Sequence, residues 1–317
     1  GRDRALNVGR GRLPFPNRAE TIVPKAVGES KQQARRGTVQ FRLTSRFADG
    51  GGIDVQIPFG TCQWDGMRMR WQGRGDWIRP AVGGGIFVAG PDGKAVPPES
   101  VTLIDAKVED GKAIASWSIK ADGKDAVVQT TYWLLGQSLV ADVNVTNGVV
   151  AQVRFGAVVG ATNPRLVTLP YYTYGKSARP AVLASGSVGK PLFFAAHVDW
   201  TLSNASEPYA INRIDKDGVA CNGGTQYTPK TNGVRAPCYE RFVFCLSPKF
   251  EDVLPEIPNP ESPWKHITGK GLWRAHGASN RENDAAHWRK VHRHGMTEII
   301  VTDHETGWRD DHESFTF

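Results

Sequence analysis

The chain has 317 residues and 40% of them are hydrophobic, which suits one large β domain with an appendage, or two domains, and excludes an intrinsically disordered protein. Residues 1–40 hold nine Lys and Arg against three Asp and Glu, so most of the net charge of +7 belongs to one end of the chain. A nucleic-acid partner is therefore not predicted, because the rest of the chain is nearly neutral.

Residues 1–38 are predicted to be a basic, poorly structured leader. The stretches GRDRALNVGRGR and KQQARR are charged and poor in aromatic residues, as solvated segments are. The chain begins with Gly rather than Met, which is compatible with a leader that has been removed, so we expect a secreted or periplasmic protein. No apolar run approaches the roughly 18 residues of a membrane helix, and no membrane partner is expected.

Residues 39–247 are predicted to form a large antiparallel β-sandwich. The apolar runs at 113–119, 126–135, 138–146 and 149–160 are rich in Val, Ile, Thr and aromatic residues. Four turn dipeptides predict hairpins around these runs: Asp92-Gly93, Asp110-Gly111, Asp122-Gly123 and Asn147-Gly148. So many strands need a second layer to cover their apolar face, and two packed sheets follow.

The four cysteines carry no metal or redox motif. Cys62, Cys221, Cys238 and Cys245 lack C-x-x-C spacing, so neither a zinc site nor a thioredoxin-like site is predicted. Cys221 and Cys238 flank a loop rich in Gly and Pro, and both a disulfide and a pair of buried thiols fit this position.

Residues 248–270 are rich in proline and are predicted to be a linker. The pattern changes in residues 271–317. Ser279 and Glu282 form a capping box, Trp288 belongs to a helical apolar stripe, and Gly295 provides a stop. The runs at 271–277 and 297–303 are predicted to be parallel strands on either side of this helix.

Strand, helix, strand is the beginning of a (β/α)8 TIM barrel, whose active site lies at the carboxyl ends of the strands. We therefore expect the sugar-binding residues at these ends, with Trp side chains supplying flat apolar faces for a sugar ring. The candidate substrate-binding residues are Trp273, Arg274, His276, Asp303, His304, Glu305 and Trp308. Structural alternatives remain open: Trp273 packed in a barrel wall, and Asp310, Asp311 and Glu313 in a solvated loop.

The acidic and histidine residues from Asp303 to Glu313 are also of the types that bind metal ions, but their spacing matches no H-E-x-x-H or EF-hand pattern. We therefore predict neither a metal nor a cofactor. His287, His292 and His294 lie on the predicted helix and are expected to be structural or surface residues.

A β-sandwich followed by a barrel whose first strand carries G-x-W, and whose second ends in an acidic Gly-Trp loop, resembles the α-galactosidase clan of glycoside hydrolases, especially family 36. In that clan the second strand ends in D-D-G-W, and its leading Asp binds substrate hydroxyls. Asp303 matches the first Asp, and Gly307-Trp308 match the last pair; His304 replaces the second Asp and two residues are inserted.

The resemblance implies a bacterial carbohydrate-active protein whose sandwich has the galactose-mutarotase-like super-sandwich fold. It also implies that the nucleophile and the acid/base are aspartates on later barrel strands, so the catalytic residues are expected beyond residue 317. The chain is expected to bind an oligosaccharide or polysaccharide without hydrolysing it alone, with a partner chain as one way to complete the incomplete barrel.

Two other hypotheses remain open. One is a non-catalytic carbohydrate-binding or assembly protein that uses a concave aromatic face. Its candidate residues are Trp64, Trp71, Trp77, Tyr171, Tyr172 and Tyr174. The other is a metal-dependent hydrolase, which requires Asp303, His304 or His312 to converge with a further ligand.

Overall fold

The computed structural model describes residues 22–169, 180–221, 223–256, 273–277 and 281–302, with backbone only for residues 75–76, 273–277, 281–284 and 298–302. The chain divides into two compact units: Pro16–Pro258, here called the β unit, and Gly1–Phe15 together with Asn259–Phe317. The described part of the second unit, residues 273–277 and 281–302, is called the β/α segment.

The β unit contains 21 strands in its described residues. In chain order they are β1 (Ser30–Arg36), β2 (Gln40–Phe47), β3 (Gly52–Pro58), β4 (Arg68–Trp71), β5 (Arg74–Val82), β6 (Gly85–Ala89), β7 (Ala95–Val96), β8 (Ser100–Glu109), β9 (Lys112–Ala121), β10 (Lys124–Leu135), β11 (Ser138–Val145), β12 (Val150–Arg154), β13 (Ala157–Val159), β14 (Arg165–Thr168), β15 (Ala181–Ser187), β16 (Lys190–Val198), β17 (Glu207–Tyr209), β18 (Arg213–Asp215), β19 (Gly218–Ala220), β20 (Gly224–Gln226) and β21 (Cys238–Ser247).

These strands form three antiparallel sheets, so the prediction of a mostly β fold is confirmed. The first large sheet has the order β1-β2-β3-β4-β5-β13-β19-β18, and the second has the order β14-β15-β16-β21-β11-β10-β9-β8. A five-stranded sheet has the order β17-β20-β12-β6-β7. Strand β21, late in the chain, lies between β16 and β11, so the second sheet is completed only by a long-range pairing.

Alternation of side chains explains how these sheets share a core. In β10 every second residue from Ala126 to Leu134 is buried, as a strand with one face on the core requires. The buried residues of all three sheets form one continuous hydrophobic cluster. At its centre, Trp64 packs edge-on against Phe242 and Phe244 of β21, with ring centroids 5.3 and 5.4 Å apart. This packing is compatible with the predicted β-sandwich.

The predicted hairpin turns are confirmed in three of four cases. Asp110-Gly111 and Asp122-Gly123 join β8 to β9 and β9 to β10, and both residues of each pair have positive φ, as a type I′ turn needs. Asp92-Gly93 lies in the loop between the paired strands β6 and β7. The prediction for Asn147-Gly148 is wrong, because β11 and β12 belong to different sheets and this turn moves the chain from one to the other.

The predicted strand at 149–160 is two strands. Strand β12 belongs to the five-stranded sheet and β13 to the first large sheet. Between them Gly156 has φ +82°, and its backbone approaches Val82 and Gly84 so closely that a Cβ atom would overlap them. A left-handed glycine at this close approach redirects the chain between sheets.

The boundaries at both ends of the predicted sandwich differ from expectation. Strand β1 lies inside the predicted leader, and its exposed, polar residues pair with β2 at the edge of the first sheet. Part of the predicted linker packs on the β unit: Glu251–Val253 form a 3₁₀ turn, and Val253 is fully buried. The buried Gln137 side chain holds part of the predicted leader and part of the predicted linker on the β unit, because its amide nitrogen donates to the carbonyls of Lys25 and Asp252.

The β/α segment contains strand β22 (Trp273–Gly277), helix α1 (Arg281–Arg293) and strand β23 (Glu298–Thr302). The two strands pair in parallel, with Trp273 opposite Glu298 and Gly277 opposite Thr302, as the sequence predicts. Gly295, with φ +91°, follows the helix at the predicted stop. Ser279 of the predicted capping box lies outside the described residues.

Among the residues that the structure describes, no helix is long and apolar enough to cross a membrane.

Candidate functional site

Of the predicted sugar-binding residues, His276 lies next to the carboxyl end of β22, whereas Trp273 is the first residue of that strand and so lies at its opposite, amino end. Trp273, Arg274 and His276 belong to β22, where the structure describes the backbone. Asp303, His304, Glu305 and Trp308 lie outside the described residues. Asp303 directly follows Thr302, the last residue of β23.

The strand register determines which backbone positions come together at this edge. His276 is opposite Val301 and Gly277 is opposite Thr302, so both strands end at the same level. Positions 274 and 276 share one face of β22 because strand residues alternate. In a parallel pair with a helical crossover, this common edge is where polar residues from successive strands gather.

The helix histidines have ordinary structural surroundings. The His287 ring packs edge-on against Trp288, with ring centroids 5.4 Å apart. A ring nitrogen of His292 lies 3.0 Å from the carbonyl oxygen of Met296, just after the helix, and His294 is exposed. The expected structural and surface placement agrees with these contacts.

No metal centre is evident in the described part of the chain, where no three His, Cys, Asp or Glu side chains group together. The candidate acidic ligands after Thr302 lie outside that part. The four cysteines are buried free thiols, so the disulfide alternative for Cys221 and Cys238 is not realised. Burial raises the pKa of the Cys221 thiol to about 12, which leaves it protonated and unreactive at neutral pH.

The predicted aromatic face is largely part of the core. Trp64 and Trp71 are buried, and Trp77 is half-buried beneath the Arg70 guanidinium, 4.6 Å from the ring centroid. Tyr171, Tyr172 and Tyr174 lie outside the described residues. The buried Trp side chains cannot stack on a sugar, which counts against this alternative.

A cavity of the β unit lies elsewhere, and sequence reasoning missed it. It is a groove of about 510 Å³ among the β4–β5 turn, the β13–β14 loop and the β15–β16 hairpin, here called the turn groove. Its lining residues are Gly73, Arg74, Ile78, Gly160, Thr162, Asn163, Ser185, Gly186, Ser187, Gly189, Lys190 and Leu192. In the sequence, only glycines and hydroxyl residues at three separate turns indicate this groove, and no sequence pattern predicts that the three turns lie together.

A second feature missed by sequence reasoning is a buried carboxyl group. Glu240 of β21 is fully buried, and it accepts hydrogen bonds from the hydroxyls of Tyr227 and Ser203, the latter at 3.0 Å. Burial raises the pKa of Glu240 to about 7, although these donors favour its ionised form. The group has no access to a ligand in solution, so it is a structural polar group with a titration near neutrality.

His197 shows the opposite behaviour within the same unit. Burial lowers the pKa of this fully buried imidazole to about 4. Its Nε2 atom lies 2.9 Å from the carbonyl oxygen of Val253 and so fixes the 3₁₀ turn against β16. A neutral, hydrogen-bonded imidazole is suited to packing rather than to proton transfer.

A polar patch also lies on β11 and β21. Arg241 forms a bidentate ion pair with Asp142, at 2.7 and 2.8 Å. The Arg241 guanidinium and the Lys112 ammonium lie 5.1 and 4.9 Å from the Trp133 ring centroid. Because its charged groups already have partners, this patch has little capacity left for a ligand.

No protein-family model matches the chain, and comparison with curated proteins finds no match.

Proposed function

We propose that this chain is part of a glycoside hydrolase, with a super-sandwich domain followed in sequence by a β/α segment that begins the catalytic (β/α)8 barrel. The single observation that carries the proposal is the parallel pair β22 and β23, joined by α1 and following a large antiparallel β unit. This order of a β domain and then a parallel β/α repeat matches the domain order of the α-galactosidase clan.

The chemistry of the proposed site is recognition of sugar hydroxyls. Asp303 is next in sequence after Thr302, where β23 ends opposite the last residue of β22, and its carboxylate would accept hydrogen bonds from the sugar hydroxyls. His304 and Glu305 would add donors and acceptors beside it. Arg274 and His276 supply donors from the neighbouring strand.

An aromatic residue completes the proposed recognition of the sugar. Trp308 would stack on the apolar face of the ring, as indole rings do in sites that combine apolar and polar contacts, whereas Trp273 begins β22 at the opposite end of the strand. Binding by hydroxyl contacts and stacking needs no metal or cofactor.

The test is a binding screen of the whole chain on a panel of oligosaccharides, followed by titration calorimetry on the best ligand. Asp303→Asn removes the charge but keeps the shape, and we expect it to weaken binding by about tenfold or more, since a charged hydrogen bond contributes about 1.5–3 kcal/mol. Asp105→Asn changes an equally acidic but exposed residue of β8, and we expect affinity within twofold of wild type.

Absence of binding to every glycan would overturn the proposal. Equal losses in the Asp303 and Asp105 variants would do so as well, because the effect would then reflect total charge.

A further inference from the structure

The turn groove is a basic cavity. Arg74 and Lys190 line it, and no Asp or Glu is among its lining residues. Within the described part of the chain neither cation forms an ion pair, although seven other ion pairs are present there. Two unpaired positive charges in one concavity attract an anion.

The acidic residues Asp215 and Asp217 line a separate cavity of about 290 Å³, which shares only Gly160 with the turn groove. Asp215 is held by the Arg213 side chain, whose Nε atom is 2.7 Å from the carboxylate. The groove itself therefore keeps its positive character.

The groove also offers neutral hydrogen-bonding groups. The side chains of Thr162, Asn163 and Ser187 are exposed and make no hydrogen bond within the described part of the chain. Ile78 and Leu192 add apolar surface beside them. Hydroxyl and amide groups beside an apolar surface suit a ligand with both ring hydroxyls and C–H faces.

The loop that carries these groups is already held in place. The Thr162 amide donates to the Ser185 hydroxyl at 2.9 Å, and the Gly186 amide donates to the Thr162 carbonyl at 2.8 Å. These bonds fasten the β13–β14 loop to the β15–β16 hairpin. A site that is formed before its ligand arrives loses little free energy to ordering.

We propose that the turn groove binds an acidic saccharide unit, with Arg74 and Lys190 holding its carboxylate or sulfate and the free hydroxyl and amide groups holding its ring hydroxyls. The volume of about 510 Å³ lies within the roughly 300–1,000 Å³ range of small-molecule sites. The choice of a saccharide rests on the proposed function, whereas the choice of an anion rests on the groove alone.

The experiment measures binding of three matched disaccharides to the whole chain by titration calorimetry. The first carries a uronic acid carboxylate. The second is its neutral counterpart, with the carboxylate reduced to an alcohol. The third is this reduced disaccharide with one sulfate ester added, which restores a negative charge. We expect both charged sugars to bind at least tenfold more tightly than the neutral one. Raising NaCl from 20 to 300 mM should weaken only the charged sugars, because salt screens exposed charges.

Variants assign the effect to the groove. Arg74→Gln with Lys190→Gln should weaken the charged sugars by tenfold or more and leave the neutral sugar within twofold. Arg68→Gln with Lys120→Gln removes the same charge from two exposed residues outside the groove, and affinity should stay within twofold. Thermal melting of both double variants checks that they fold, and each single variant provides a second measurement.

Three results would overturn the proposal: equal affinity for charged and neutral sugars, equal losses in the groove and control variants, or tighter binding of a short oligonucleotide at the groove than of either charged sugar. Asp303→Asn separates the two proposals. If binding of a charged sugar is lost only in the Arg74→Gln, Lys190→Gln variant, the result supports the groove proposal alone. If binding of a neutral sugar is lost only in the Asp303→Asn variant, the result supports the proposed function alone.

Discussion

The indole N–H of Trp64 donates a 3.1 Å hydrogen bond to the hydroxyl oxygen of Tyr132, and both residues are buried in the shared core. Trp64 belongs to the loop between β3 and β4 of the first large sheet, and Tyr132 belongs to β10 of the second. This buried polar contact joins the two large sheets, as does the 2.9 Å hydrogen bond from the Trp117 indole N–H of β9 to the carbonyl oxygen of Phe59, which follows β3.

Tyr132→Phe should lower the free energy of unfolding by about 1–3 kcal/mol, because it leaves the buried Trp64 N–H without its acceptor. Urea denaturation measures the change. Tyr239→Phe removes a half-buried hydroxyl 3.4 Å from Asp142 and should cost less than about 0.5 kcal/mol. A cost for Tyr132→Phe no larger than for Tyr239→Phe would contradict the prediction.

Glu240 should make the β unit less stable as the pH rises toward neutrality. Its pKa is about 7 in the folded protein, above the ordinary value of 4.5, so the folded state holds the proton more tightly. Its stabilising contribution is complete below about pH 4.5 and is lost as the pH rises through 7, by on the order of 3 kcal/mol.

Glu240→Gln should remove this dependence, so that its stability relative to wild type is higher at pH 8 than at pH 5. Urea denaturation at the two pH values measures the difference. The lowered pKa of His197 reduces the free energy of unfolding as the pH falls below 6.5, but this effect is the same in both proteins and cancels in their difference. Glu99→Gln, at an exposed position, serves as the control, and an equal pH effect in it would refute the assignment.

Gly148 should tolerate alanine much less well than Gly93. Both have positive φ, +58° and +76°, so alanine carries a similar conformational cost of about 1–2 kcal/mol at each. A Cβ at Gly148 would also overlap the carbonyl oxygen of Arg235, whereas nothing lies within 4 Å at Gly93. We expect Gly148→Ala to be less stable than Gly93→Ala by a further 1–3 kcal/mol or so in urea denaturation. Equal losses would show that the Arg235 backbone moves away at no cost.

Local signals in the sequence identified individual strands better than their partners. Alternating or apolar runs predicted β9, β10 and β11 within a few residues, because the pleat places every second side chain on the core. Strand β1 was missed because an edge strand of Lys, Arg and Gln buries almost nothing and carries no alternation. The position of β21 between β16 and β11 is a long-range pairing that no local pattern encodes.

The two candidate sites also differ in how far a local sequence pattern predicts them. The edge formed by β22 and β23 was predictable, since a strand, helix, strand pattern determines where both strands end. The turn groove was not, since Arg74, Thr162 and Lys190 are far apart in sequence and meet only when three turns assemble. The buried carboxyl group of Glu240 could not be predicted from the sequence either, because neighbouring strands bury it.

The pairing of Ile22 with Glu256 brings the two ends of the β unit side by side. The Ile22 amide donates to the Glu256 carbonyl at 3.1 Å, and the Glu256 amide donates back at 3.3 Å. Adjacent ends make the unit suitable for circular permutation: a short peptide joining residue 256 to residue 22 would allow the chain to be opened at the exposed Asp92-Gly93 turn with every strand pairing retained. The same adjacency would allow the unit to be grafted as a single insert into a surface loop of another protein.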